Sequence, residues 1–284
     1  MSNDFTSSKQ TASPDWLVGG GEMGKLIRSM DWSKTPLGPI EFWPSSLRTT
    51  VGLVLNSNFP ISLAWGPEHT QIYNDGYWPI CGAKHPHSMG QDFSECWATA
   101  LWVIGDAFRT AMAGKTAFLE DQRMFLDRLG YLEETFFTFS FSPIRDETGN
   151  VAGLFHPVTE TTSKMVGQRR TRALRDLAQR AAKAASMDEG LALAAETLAE
   201  AELDLPFVLF YKLDAAGRSA TLVAQTGLAA GGPASPISVD LRQDTEGWPL
   251  ASVAAAGKAI ELDDVRERFP GLVCGPYPTH ATLA

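Results

Sequence analysis

The stretch from Leu132 to Thr159 consists of an alternating apolar and polar run, a polar turn and a second apolar run. Phe137, Phe139 and Phe141 fall on one face of a strand, because successive side chains of a strand point in opposite directions. Residues 146–150 read Asp-Glu-Thr-Gly-Asn, which is typical of a turn. The pattern therefore predicts a hairpin with a strongly aromatic face, and such a face needs a cover of other elements.

The pattern upstream of this hairpin predicts helices and strands that can supply the cover. Apolar residues recur at helical spacing from Ser45 onward, and residues 61–65 and 69–73 are typical of two short strands joined by a Gly-Pro turn. Short helical turns follow in residues 77–97. The remaining segments are a helix over residues 98–112 and a strand over residues 117–128. We predict two strands, a helical middle and then three strands.

Downstream of the hairpin the pattern changes to long helices and shorter strands. Residues 163–186 contain no proline and predict a continuous helix, and Ser186 with Glu189 forms a capping box that starts a second helix. The segments that follow are predicted as three strands and a helix: 206–213, 220–224, 237–241 and 247–256. A chain of 284 residues is long enough for two domains of this kind, each with its own core.

The composition excludes several classes of protein. The net charge of −9 argues against non-specific binding to nucleic acid or to an anionic membrane. The chain has no apolar run of the roughly 18 residues that a membrane span requires. Its three cysteines form no CxxC pair, and residues 1–15 contain no apolar segment of a secretory signal. We therefore expect a cytoplasmic protein that binds neither membrane nor nucleic acid.

Three segments of the first half resemble a PAS domain. They are IYNDGY at residues 72–77, ETFFTFSFSPIRDETGNVAGLF at residues 134–155, and the lead-in DWSKTPLGPIEFWPSSLRTTV at residues 31–51. The lead-in is similar to that of PAS domains in bacterial sensor histidine kinases. The resemblance covers about residues 22–162. It implies an α+β fold, with a five-stranded antiparallel sheet and helices on one face, used for sensing or dimerisation.

The second half resembles the first part of a GAF domain, on the segment WPLASVAAAGKAIELDDV at residues 248–265. That family would supply further strands and a closing helix, so we expect a partial GAF domain. The predicted organisation is a flexible segment at residues 1–30, a PAS domain at 31–162, a signalling helix at 163–186 and the partial GAF domain at 187–284.

Aromatic residues mark the predicted interior of the PAS part. Two interpretations fit them: a filled hydrophobic core, or a pocket for a small apolar or aromatic ligand, since both have similar linings. The candidate residues for such a ligand pocket are Trp65, Tyr73, Trp102, Phe118, Phe137, Phe139 and Phe155.

PAS domains can carry flavin or haem, but the residues these cofactors need are missing. In residues 90–97, which match the flavin-adduct segment of the family, Phe93 stands where the reactive cysteine should be. The long helix, residues 101–112, has no histidine for a haem iron. We expect no cofactor. We also expect no metal, since the Cys-His-His-Cys spacing over residues 81–96 is irregular for a structural zinc site.

No catalytic constellation is present, and no histidine is followed by the acidic residue of a phosphoacceptor site. The glycines of residues 19–25 have P-loop spacing but lack the hydroxyl that follows the lysine. The resemblance implies the sensory region of a two-component histidine kinase. Its partners would be a downstream kinase or other output domain and a response regulator. A stand-alone small-molecule-binding regulator, or the sensor of a phosphatase or cyclic-dinucleotide enzyme, remains an alternative.

The predicted signalling helix carries a candidate dimer seam. Leu174, Leu177, Ala181 and Ala185 are spaced by 3, 4 and 4 residues, which approximates one seam of a coiled coil. This spacing predicts a homodimer. The alternative is that the same stripe packs against its own PAS or GAF domain, as most amphipathic helices do.

Overall fold

The computed structural model describes residues 15–243, 247–272 and 281–283. The chain forms two compact units, residues 1–162 and residues 163–284. Each unit has its own elements and its own buried cluster.

The first unit is built on one five-stranded antiparallel sheet, in the order β2-β1-β5-β4-β3. This confirms the predicted sheet. Its strands are β1 (Ile61–Trp65), β2 (Thr70–Tyr73), β3 (Ala117–Leu126), β4 (Glu133–Arg145) and β5 (Val151–Glu160).

Five α-helices accompany this sheet, and the unit is therefore α+β as predicted. Short 3₁₀ turns precede α2 and lie between the later helices. The helices are α1 (Gly21–Ser29), α2 (Ser45–Leu55), α3 (Trp78–Cys81), α4 (Phe93–Cys96) and α5 (Leu101–Met112).

The aromatic hairpin forms as its alternation requires. Phe137, Phe139 and Phe141 are buried on one face of β4, and Phe139 pairs with Val158 of β5. The helix α5 packs against β3, β4 and β5 on this face. The predicted aromatic face and its helical cover are confirmed.

The other face of β1 and β2 is covered as well. Leu63 and Ile72 point away from the aromatic face and are completely buried. The helix α2, whose residues Leu47 and Val51 are buried, packs against both strands. The expectation of helices on one face only was therefore wrong for this half of the sheet.

The N-terminal prediction also needs a correction. Residues 1–30 were predicted to be flexible, but residues 21–29 form α1, with Met23 and Ile27 buried. Trp32 and Trp43 follow, with their rings in an edge-to-face contact at 4.8 Å. Residues 1–14 lie outside the described part of the chain.

Strands β1 and β5 approach closely at one position. Gly153 pairs with Trp65, and a Cβ at Gly153 would lie 2.6 Å from the carbonyl oxygen of Ala64. Cβ atoms essentially never approach a non-bonded atom this closely, so this pairing requires a glycine.

The second unit has smaller sheets. Strands β6, β7 and β8 form one antiparallel sheet in that order, and β9 pairs with β10. The predicted strands in residues 206–241 are confirmed, whereas the GAF resemblance stays a prediction. The elements are α6 (Thr162–Ala181), α7 (Met187–Ala199), β6 (Val208–Leu213), β7 (Ser219–Thr226), β8 (Ser238–Asp240), α8 (Leu250–Ala256), β9 (Ile260–Leu262), α9 (Val265–Arg268) and β10 (Ala281–Leu283).

The helix α6 differs in part from the predicted signalling helix. It ends at Ala181, so Ala185 lies in the following turn and not on the predicted seam. Leu174 is 67% exposed and Leu177 is half-buried. Arg169 donates a hydrogen bond to Asp204 of its own unit at 2.7 Å.

Candidate functional site

A small cavity lies between the aromatic face of the sheet and the helices that cover it. Its volume is about 30 Å³. Half of its lining comes from the strands: Met124, Leu126, Phe137, Phe139, His156 and Val158. The other half comes from the helical segments: Tyr77, Ile80, Phe93, Trp97, Ala100 and Ile104.

The size of the cavity limits what it can bind. A buried water needs about 10–15 Å³ of this kind of space, whereas a benzene-sized ligand was accommodated in a cavity of roughly 150 Å³. The cavity of about 30 Å³ therefore holds one or two waters or a molecule of a few heavy atoms. An aromatic ligand does not fit unless the walls move. Of the two interpretations of the interior, a filled hydrophobic core agrees better with this volume than a ligand pocket does.

His156 is the polar residue of the cavity wall on the strand side. Its Nδ1 lies 3.1 Å from the carbonyl oxygen of Ser140, which can only accept, so Nδ1 carries the proton. The ring stacks on Phe141 at 4.3 Å between centroids. Burial lowers the pKa of His156 to about 4, although the hydrogen bond to Ser140 opposes the shift. The imidazole is therefore neutral at pH 7.

A hydrogen-bonded tyrosine lies beside the cavity. The hydroxyl of Tyr73 contacts Nδ1 of His85 at 2.9 Å and Oγ of Ser88 at 2.8 Å. Its ring packs on Tyr77, with centroids 5.7 Å apart, and Tyr77 lines the cavity. Burial raises the pKa of both tyrosines above their ordinary value, so both hydroxyls stay protonated.

The residues around the cavity leave too little space for a flavin or a haem in this arrangement. The cavity is far smaller than either cofactor, and the Phe93 ring fills part of its wall. Phe93 packs against Phe108 at 5.5 Å and against Phe141 at 5.9 Å. Cys96, three residues further on, is buried, and burial raises its pKa, which disfavours the reactive thiolate.

The cysteines and histidines that the sequence groups together do not converge on a metal site. Cys81 and Cys96 are buried, His85 is bonded to Tyr73, and His87 is exposed. Within residues 15–243, 247–272 and 281–283, no group of three or more His, Cys, Asp or Glu side chains is arranged to hold a metal ion.

Of the seven predicted pocket residues, Phe137 and Phe139 line the cavity. Tyr73 is on the same face of the sheet but outside the lining, and its ring contacts Tyr77, which lines the cavity.

The remaining four predicted pocket residues lie elsewhere. Trp65 and Phe155 are on the opposite face, as the pairing of Leu63 with Phe155 shows. Trp102 and Phe118 are 72% and 64% exposed, so their assignment to the interior was wrong. Trp102 lies on the outer side of α5, and Phe118 pairs with Ser140 on the outer face of the sheet.

A charge cluster around the buried side chain of Arg128 joins the end of the sheet to the start of α6. Arg128, in the loop between β3 and β4, donates two parallel hydrogen bonds of 2.8 Å to Glu160 and a further one to Glu133. Glu160 also accepts from the hydroxyl of Thr162 at 2.8 Å. The Thr162 oxygen in turn accepts from the backbone N–H of Phe136 at 3.0 Å.

The protonation states of this cluster follow from its contacts. Burial alone would raise the pKa of Glu160, but the bonds and charge of Arg128 outweigh it and lower the pKa. The two carboxylates raise the pKa of Arg128 against the opposing effect of burial. Arg128 and Glu160 are thus both charged at neutral pH, and bidentate pairs of this type are among the stronger hydrogen bonds.

The Asn74-Asp75-Gly76 turn is a second centre of hydrogen bonding, and the sequence marked it only as part of the PAS-like segment IYNDGY. Asn74 is completely buried, and its amide nitrogen donates to the carbonyls of Val54, Ser57 and Phe59 at 2.8–3.0 Å. A polar turn residue between two apolar segments, as in Ile-Tyr-Asn-Asp-Gly-Tyr, was the available signal. This side chain fixes the end of α2 relative to the sheet.

Comparison with solved structures returns PAS and light-oxygen-voltage domains. An RNA-binding light-oxygen-voltage receptor matches with 17% identity over 53% of this chain, at a TM-score of 0.35. The match spans less than half of that receptor, 43% of its length. The PAS domain of BvgS from Bordetella pertussis matches with 16% identity over 46% of this chain and 98% of its own length, at a TM-score of 0.31.

A sensory box sensor histidine kinase from Vibrio cholerae matches with 15% identity over 43% of this chain and 98% of its own length, at a TM-score of 0.28. No family model matches the chain. No curated protein matches it. The five-stranded antiparallel sheet with its helical cover agrees with the α+β fold that the PAS resemblance implies.

No helix in the described part of the chain combines the length and the apolar character that a membrane crossing requires.

Proposed function

We propose that this chain is a sensory and regulatory module, in which the state of the first unit is passed to the helix α6. The observation that carries the proposal is the bonded path from the cavity wall to the start of α6. Phe137 lines the cavity and pairs with Glu160, and Glu160 is bonded to Thr162, the first residue of α6.

This path transmits a displacement of side chains and involves no reaction on a substrate. The guanidinium of Arg128 lies 6.0 Å from the centre of the Phe137 ring, so a shift of this ring changes the surroundings of the charge cluster. The buried guanidinium of Arg128 tolerates little displacement of its partners, because a buried charge that loses its partner is costly. A change in the cavity therefore favours one of two arrangements at Thr162, which biases α6.

The test compares Arg128, in the loop between β3 and β4, with Arg123 of β3. Arg128→Met removes the bonds to Glu160, whereas Arg123→Met removes an ion pair with Glu134 of 2.8 Å that does not reach β5. Hydrogen exchange of the full chain is expected to rise at least tenfold in the first turns of α6 for R128M only. Equal exchange of α6 in R128M, R123M and wild type would contradict the relay.

We further propose that α6 mediates a homodimer through its exposed side. Leu174 and Leu177 lie three residues apart on the helix, and Leu174 is largely exposed. Leu177→Glu would place like charges across the dimer axis and is expected to give a monomer with both units folded. The matched control is Gln179→Glu, at an exposed position of the same helix.

Light scattering separates the dimer from its alternative. If the leucines pack only within one chain, Leu177→Glu lowers the thermal stability and leaves the assembly unchanged. A wild-type chain that is monomeric at high concentration would rule out the homodimer.

The finer form of the proposal is that α6 and a GAF-like second unit connect the PAS unit to a histidine-kinase transmitter, which acts on a response regulator. The PAS resemblance and the relay geometry support it. The chain itself is expected to be colourless and without autophosphorylation. Visible absorption spectra and incubation with labelled ATP and magnesium test these two expectations, and a flavin band, a haem band or acid-labile label on histidine would contradict them.

A further inference from the structure

The helix α1 begins without a capping side chain of its own. Gly20 occupies the capping position, and the backbone N–H groups of Glu22 and Met23 donate to the two carboxylate oxygens of Asp75, at 3.0 and 2.7 Å. A carboxylate stabilises this end of a helix because the first N–H groups lack partners and carry partial positive charge. One side chain more than 50 residues away thus holds the start of α1.

The glycines that precede α1 make this contact possible. Gly19, Gly20 and Gly21 all have positive φ, at 74°, 80° and 57°, a region that other residues rarely adopt. A Cβ at Gly21 would lie 1.9 Å from the carboxylate oxygen of Asp75. Any side chain at this position would therefore expel the carboxylate. Three consecutive glycines also supply a hinge on which α1 can move.

Asp75 is held by a turn that reaches the cavity. Its neighbour Asn74 accepts hydrogen bonds through Oδ1 from the backbone N–H groups of Ile61 and Tyr77, both at 3.0 Å. Tyr77 lines the cavity. Asp75 is therefore two positions from Tyr77 of the cavity wall, and its neighbour Asn74 is hydrogen-bonded to the first strand of the sheet.

We propose that α1 is a releasable strap, which Asp75 latches and which the Asn74–Tyr77 turn couples to the cavity. Nine residues are too few for a stable isolated helix in water, so α1 depends on its latch and on the burial of Met23 and Ile27. Release exposes these two side chains. The first unit then has a second segment, besides α6, whose position depends on the cavity. This coupling to the cavity rests on the proposed sensory role.

Hydrogen exchange of the full chain tests the latch with two different variants. Asp75→Ala removes the carboxylate, and Gly21→Ala keeps it but blocks its approach. Both are expected to raise exchange of the α1 amides at least tenfold, while the amides of β1 and β4 keep their protection and show that the unit is folded. Wild-type exchange of α1 in both variants would overturn the latch.

The matched control is a second carboxylate at a helix start. Glu147, in the turn between β4 and β5, accepts from the backbone N–H of Ser46 in α2 at 2.8 Å. Glu147→Gln is expected to raise exchange at the start of α2 and not in α1. Equal exchange of α1 in Glu147→Gln and Asp75→Ala would show a general loosening, which also overturns the latch.

A variant of the cavity wall tests the coupling. Ala100→Val adds two methyl groups to the lining and is expected to change α1 exchange at least threefold, with no further change once Asp75→Ala is present. If Ala100→Val alters α6 but not α1, the coupling of the strap fails while the relay to α6 stands. If it alters α1 but not α6, the strap stands and the relay fails.

Discussion

The two units of the chain reach their folds by different means. The first buries large side chains completely, among them Trp43, Tyr73, Phe93 and Phe141. In the described part of the second unit, α7 packs on β7 through Ala194 and other alanines, and the larger buried side chains form a small cluster around Trp248. Large buried side chains contribute more apolar area. The first unit is therefore expected to be the more stable of the two.

The polar contacts of the two units also differ in how deeply they are buried. The first unit buries its central hydrogen bonds, as at Asn74 and Arg128. The second unit has ion pairs near its surface, such as Arg180–Glu200 at 2.9 Å and Lys212–Asp188 at 2.8 Å. Exposed ion pairs contribute little and weaken in salt. We expect unfolding in two steps, with the second unit first and the more salt-sensitive.

The largest expected effect is on the core of the first unit. Phe141→Ala removes a fully buried ring and should lower the free energy of unfolding of the first unit by about 3–5 kcal/mol. Phe118→Ala, on the outer face, should cost no more than about 0.5 kcal/mol. Calorimetry should show the higher-temperature transition fall for the first variant alone. Similar losses in both would mean that the aromatic face is not the core.

Asn74→Ala should be nearly as damaging, at about 2–4 kcal/mol, because it leaves several buried backbone groups unpaired. Denaturant titration measures the loss, and Asn58→Ala, at an exposed position nearby, is the control. A cost below about 1 kcal/mol would show that water replaces the side chain, and it would weaken the contrast between buried and surface polar contacts.

The pH dependence of the first unit should follow His156. Its pKa is lowered to about 4 in the folded chain, so between pH 6.5 and 4 the unfolded chain binds more protons and stability falls as pH falls. The loss from pH 7.5 to pH 5 should be about 2 kcal/mol. His156→Gln should remove this dependence, whereas His87→Gln, at an exposed position, should retain it. If the stability of His156→Gln falls with pH as steeply as that of the wild type, other groups cause the pH dependence.

The smallest effect is expected in the second unit. Val265→Ala removes two methyl groups from the buried cluster of this unit and should lower its free energy of unfolding by about 1–2 kcal/mol. Only the lower-temperature transition should move. A change in both transitions would mean that the two units unfold as one, and the contrast between them would not hold.

The sequence predicted the strands of the first unit well because each strand satisfies a local rule. The alternation around Phe139 and the Gly-Pro turn after Trp65 are readable without knowledge of distant contacts. The helix α1 was missed because its start is stabilised by Asp75, far along the chain. Ala185 was wrongly included in the long helix because alanine favours helices and gives no stop signal.

The candidate site was harder to predict than the fold. The period of the strand placed Phe137 and Phe139 on the buried face, where the structure has them, but Trp102 and Phe118 were placed inside because they are aromatic. Hydrophobicity alone does not reveal orientation, since much of a folded surface is apolar. The cluster around Arg128 joins residues of a loop and two strands, and no local pattern marks such a combination.

The close approach at Gly153 constrains how this chain can diverge. A larger side chain in a core can usually be accommodated when a neighbouring side chain becomes smaller, so the two positions change together over time. At Gly153 the nearest obstacle is the backbone oxygen of Ala64, which every amino acid carries. No second substitution can compensate, so we expect this glycine to be retained among descendants that keep the pairing with Trp65, even where the surrounding core has been replaced.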